Sequence, residues 1–87
     1  MATFDPQDWA ATAADSELVP AGTRVGVLIE NFAGDVVYLG IGTPAVVGSG
    51  VRLTVSRPVT LTGEDAKKAI RGICDTGESA AGGYQES

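Results

Sequence analysis

From Arg24 to Val55 short β-branched runs alternate with glycine turns: RVGVLIE, NFAG, DVVYLG, a Gly-rich patch ending in GSG, and VRLTV. Apolar residues at every second position mark a half-buried strand. The pattern predicts a first strand over Arg24 to Glu30, with Val25, Val27 and Ile29 on one face and Arg24, Gly26, Leu28 and Glu30 on the other. Asn31-Phe32-Ala33-Gly34 then reads as a hairpin loop whose glycine takes positive φ. A second strand, Asp35 to Gly40, is apolar on both faces through Val36-Val37-Tyr38-Leu39. Gly40 to Gly50 is loop-rich, with a short extended piece at Ala45 to Val47. A third strand, Val51 to Ser56, turns Val51, Leu53 and Val55 inward. Pro58 restricts Arg57 to extended conformations and suits a sheet edge, and Val59 to Leu61 gives a fourth strand.

Thr62-Gly63-Glu64-Asp65 resembles a capping box with Asp in the last place, which predicts one helical turn at about Gly63 to Lys68. A strand from Ala69 to Cys74 follows, then a turn at Asp75-Thr76-Gly77-Glu78, and the tail SAAGGYQES offers a weak last strand near Tyr84 or an extension to a neighbour. Met1 to Ala21 has few large apolar residues and a turn signal at Asp5-Pro6, so it reads as an extended arm with a helical turn at Asp8 to Ala14. The chain thus divides into an N-terminal arm, 1–21, and a β domain, 22–87, with a Gly-rich tail. Short strands and turns at this spacing predict an all-β fold, a small antiparallel β-sandwich or barrel.

Size changes the picture. Of 87 residues, the β domain holds fewer than 70, and such a domain buries barely enough apolar surface to offset its chain entropy. Cys74 is the only cysteine and there is no histidine, so neither an intrachain disulfide nor a zinc site is open to this chain. Association with other chains is the reinforcement left, which points to a homo-oligomer or an assembly component. Six Lys+Arg against eleven Asp+Glu argue against nucleic acid as the main partner. No apolar run reaches the ~20 residues of a membrane span, and MATFDPQDWAA has no signal-peptide character, so synthesis and assembly in the cytosol are expected.

Little here can do chemistry. Gly40-Ile41-Gly42-Thr43-Pro44-Ala45 matches the dinucleotide-binding G-x-G-x-x-A pattern, but Gly48-Ser49-Gly50 leaves no room for the helix whose N-terminus would meet a pyrophosphate. Glu64 and Asp65 are adjacent and diverge rather than converging on one site. Cys74 has no histidine to activate it and reads as a buried structural thiol. No catalytic, cofactor or metal residue is expected. Phe4, Trp9, Leu18, Tyr38 and Tyr84 are the side chains expected to meet a partner. For Trp9 the competing reading is a plug that folds back on its own domain.

The run V-x-V-x-I-x-N, VVYLGIGT, a Gly-rich turn, VRLTV and AIRGICDTG resembles the small β-domain virion proteins of tailed bacteriophages, such as head decoration or cement proteins and head-fibre bases. The likeness spans about Val25 to Gly77; the GEDAKK turn and the Gly-rich tail depart from it. The resemblance implies a non-enzymatic structural protein on the outer capsid surface of the virion. It would be commonly trimeric and would bridge and stabilise major capsid protein subunits. Two other classes stay open: a carbohydrate- or host-binding β module of a phage fibre, drawing on Tyr38, Tyr84 and Trp9, and a small-ligand enzyme using the glycine loop.

Overall fold

A computed structural model describes residues 7–86. Eight strands run in order: β1 (Gln7–Ala11), β2 (Ser16–Val19), β3 (Gly26–Gly34), β4 (Val37–Ile41), β5 (Val51–Leu53), β6 (Val59–Thr62), β7 (Ile70–Ile73) and β8 (Ala80–Glu86), with one turn of helix, α1 (Gly63–Ala66), between β6 and β7. They form two antiparallel four-stranded sheets, ordered β1-β8-β3-β6 and β2-β7-β4-β5. β1 pairs β8, β2 pairs β7, β3 pairs β6 and β4 pairs β5. Those are the rungs of one long hairpin with β4 and β5 at its tip. Rolling that hairpin up adds the β3–β8 and β4–β7 pairings. The small antiparallel sandwich is therefore a jelly roll.

The core lies between the sheets. Val27, Ile29 and Tyr84 from one face Val19, Val37, Leu39, Leu53 and Ile70 from the other. Period-two alternation places most of them: Val27 and Ile29 point in, while Leu28 and Glu30 sit half-exposed on the outside.

The expected arm is, among the described residues, part of the sandwich. Gln7–Ala11 and Ser16–Val19 are edge strands of the two sheets, so neither the helical turn at Asp8 to Ala14 nor a division at residue 21 is present. The reason is packing. Trp9 and Ala11 are buried against β8, and Leu18 and Val19 against β7 and β4. Pairing with β8 and β7 outweighs the helix propensity of the alanines.

The expected Asn31–Gly34 hairpin does not form either. β3 runs through to Gly34, with an irregularity between Asn31 and Ala33 in its pairing with β8, and the chain then crosses to the other sheet. Buried Asn31 holds that crossing: its Nδ2 donates to Asp35 O (2.9 Å) and to Leu53 O (3.3 Å), tying β3 to the opposite sheet. The helical turn and the β6 and β7 strands fall where the sequence placed them, to within a few residues. The capping bond does not form: Thr62 takes the extended N-cap geometry at the end of β6, paired with Gly26, but its side chain makes no bond to the turn.

Candidate functional site

The large apolar side chains that the fold leaves exposed among the described residues are Val25, before β3, Phe32, within β3, and four valines in the β4–β5 loop, β5 and the turn after it. Val46 is 59 % exposed, Val47 40 %, Val51 38 % and Val55 53 %. The sequence pattern had turned Val51 and Val55 inward. The difference comes from the shortness of β5, an edge strand that ends at Leu53. After Thr54 the chain turns, with Arg57 N–H donating to Thr54 O (3.1 Å), and Val55 rides at the tip of that turn. Val51 faces the inner side, opposite Leu39, but lies at the margin where no further strand covers it. A concavity of about 160 Å³ lies between loop and edge, lined by Ile41, Pro44, Val46 and Val51 among others.

The loop is pinned. Asp15 accepts the Ala45 N–H at 3.1 Å, and its two carboxylate oxygens take Arg71 Nε at 3.1 and 2.9 Å. Gly42 N–H donates to Ala69 O at 2.7 Å. Val46 to Ser49 closes as a turn, Ser49 N–H to Val46 O at 3.0 Å, with Gly48 in the positive-φ region (80°) that glycine adopts without strain. Ala45 is buried beneath the loop, which leaves Val46 and Val47 facing out. The glycine loop leaves β4 into turns and opens no helix.

The four expected partner residues that are described do not gather here. Trp9 is buried: its indole lies over Gly82, and Nε1 donates to Gly83 O at 3.2 Å. Of the two readings of Trp9, the plug on its own domain is the one observed. Leu18 is buried over Gly72, and Tyr84 on the inner face beside Ile29. These three are corrected from partner-facing to core, because β1, β2 and β8 supply the apolar faces the small sandwich lacks. Phe4 lies outside the described residues. Of the four that are described, Tyr38 alone is partly exposed, on the outer face of its sheet, with Arg52 of β5 on one side and Ile73 of β7 on the other.

Titration and metal geometry add little to this surface. Burial raises the Cys74 thiol above its ordinary range, and the nearby Asp35 and Glu78 carboxylates raise it further. Burial, then Glu86, does the same for the Tyr84 hydroxyl. Among the described residues no three His, Cys, Asp or Glu side chains come together as metal ligands, and no helix is long and apolar enough to cross a membrane.

Sequence reasoning missed Val46, Val47, Val51 and Val55 as surface residues. A signal existed: two consecutive valines between Pro44 and Gly48, in a stretch too rich in turn residues to carry them into a core.

No protein-family model, curated protein or solved structure matches the chain.

Proposed function

We propose that this chain is a non-enzymatic structural protein that works by docking on other proteins: a decoration or cement protein on the outside of a tailed-phage head, bridging major capsid protein subunits as a homo-oligomer, with a trimer favoured. The observation that carries the docking reading is Val46 and Val47, exposed on a loop pinned in place, with exposed Val51 on the β5 edge that follows. Isolated exposed valines are ordinary, but two consecutive ones held outward beside a concavity that Val46 and Val51 line favour an interaction surface. The capsid as the assembly comes from the resemblance over Val25 to Gly77 and from nothing else. A jelly roll by itself fixes no role, since capsid, lectin and cupin domains all use it.

Co-sedimentation with purified phage heads tests it. The wild-type chain pellets with heads, and Val46→Asp/Val47→Asp, whose changes are on the surface, stays folded but is left in the supernatant. A double variant that pellets like wild type removes the docking surface from the account.

A second reading, a carbohydrate-binding module, draws on Tyr38, a partly exposed ring beside Arg52. A glycan array read with wild type and Tyr38→Ala decides it: binding that the variant loses supports this reading over the first.

A further inference from the structure

Away from the β4–β5 loop, one end of the β1-β8-β3-β6 sheet carries another concavity, of about 320 Å³, lined by Val25, Gly26, Leu28, Thr60, Gln85 and Glu86 among others. Leu28, on the outer face, lies between Gln85 of β8 and Thr60 of β6. Two residues earlier on the same face comes Gly26, opposite Thr62, and its missing side chain opens the hollow. Val25 lines it and is 70 % exposed. Alternation groups Val25 with Val27 and Ile29, but β3 begins at Gly26, so Val25 lies beyond the paired strands. Arg24 fixes this corner. Its guanidinium donates to Pro20 O (2.8 Å), Lys68 O (2.9 Å) and Glu86 Oε2 (3.3 Å), which holds the residue before Val25 and the end of β8 in place. The hollow is thus apolar, open and preformed.

We propose that the ring of Phe4 of the same chain fills it, the segment before Gln7 crossing β8 to lie over Val25 and Leu28. β1 leads there. Its pairing with β8 runs from Ala11↔Ala80 to Gln7↔Tyr84, and the next two residues of β8, Gln85 and Glu86, line the hollow. The exposed positions of β1 are Asp8 and Ala10, and Phe4 shares their parity. Length fits as well. Phe4 precedes Gln7 by three residues, ~10 Å of extended chain, and β1 to β3 is two strand spacings, also ~10 Å. Pro6 has no N–H to give a ladder, and Asp5-Pro6 favours a turn, so the sequence signals a bend where the chain must leave the line of β1. A tether this short holds the ring at an effective concentration of about millimolar, which favours it over a free partner. The inference does not depend on the docking reading and concerns a different part of the molecule. It gives Phe4 the role Trp9 has, cover for its own domain in place of a partner contact.

Proton NMR of the full chain tests this. The Phe4 ring is expected to displace the methyl resonances of Val25 and Leu28 and to show through-space contacts with them. Phe4→Leu and Phe4→Ala both abolish the displacement. Phe4→Leu still fills most of the hollow and keeps most of the urea midpoint, whereas Phe4→Ala lowers it. Methyl positions that do not change in Phe4→Ala, or no ring-to-methyl contact in the wild type, overturn the proposal. In a mixture of differently labelled chains, ring-to-methyl contacts between labels, or a displacement that disappears on dilution, would make the occupant the Phe4 of a second copy and overturn the assignment to the same chain.

Discussion

At Gly82 the missing side chain is what admits Trp9. A Cβ there would stand 2.5 Å from the indole Cζ2 and would also press on Glu30 O. Gly82→Ala is therefore expected to destabilise by about 1–3 kcal/mol, an overpacking cost, with a Tm drop of roughly 4–8 °C per kcal/mol in a thermal melt. Gly63→Ala is the contrast: an added Cβ meets nothing within 4 Å, so only its positive φ of 64° is felt, at about 1 kcal/mol. The same burial gives Cys74 a pH signature. Its thiol is raised from an ordinary value near 9.0. The folded chain keeps a proton that the unfolded chain releases above about pH 9, so stability is intact below that pH and falls as pH rises. Tyr84, raised from near 10.0, adds a loss of the same sign at higher pH. Urea midpoints are expected to decline through pH 9–10. The decline should be shallower in Cys74→Ala, and a flat wild-type profile would contradict this. The buried cysteine was legible in the sequence, because a thiol without histidine has little else to do. The fate of Trp9 was not. Nothing local to Trp9 announces that a Gly-Gly pair more than seventy residues on makes room for it.

The loop between β4 and β5 depends on Asp15, which lies between β1 and β2. Its carboxylate holds Arg71 and the Ala45 N–H together, and both side chains are about two-thirds buried. Asp15→Ala is expected to cost about 1–2 kcal/mol in urea unfolding, between an exposed ion pair and a charged hydrogen bond. It also speeds hydrogen exchange at Ala45 while leaving the amides of β3 and β8 protected. An unchanged Ala45 rate would show that the loop is held by something else. β3, from its clean alternation, and β4, from its continuous apolar run, were readable within a few residues. β8 was foreseen only as a weak end strand, although it lies between β1 and β3 in its sheet. Its Ala-Ala-Gly-Gly run has poor strand propensity, and its stability comes from pairing on both sides and from the Trp9 contact. The mistaken hairpin at Asn31–Gly34 has a similar origin. The four residues suit a tight turn, but Asn31 spends its side chain holding the crossing between sheets.

A jelly roll is a non-local fold: the first strand pairs with the last, and the second with the second-last. Deleting Met1 to Ala14 therefore removes β1 with its buried Trp9 and Ala11 and strips the cover from β8. Losing an aromatic core residue alone costs about 3–5 kcal/mol, comparable to the whole stability of a small domain. The truncated chain is expected to lose cooperative unfolding, and a sharp thermal transition in it would contradict the assignment of β1 to the core. The sandwich class was legible from turn spacing. The order of strands was not, because edge and centre are decided by long-range pairing rather than by local pattern. The β4–β5 loop, β5 and the turn after it hold four of the six exposed large apolar side chains among the described residues, and the docking proposed for the protein is placed there. Hydrogen exchange of the chain, free and bound to phage heads, measures this most directly. Slowed exchange confined to residues 43–57 is the predicted result. Slowed exchange over the outer face of the β1-β8-β3-β6 sheet instead, or no difference between the two states, would contradict it.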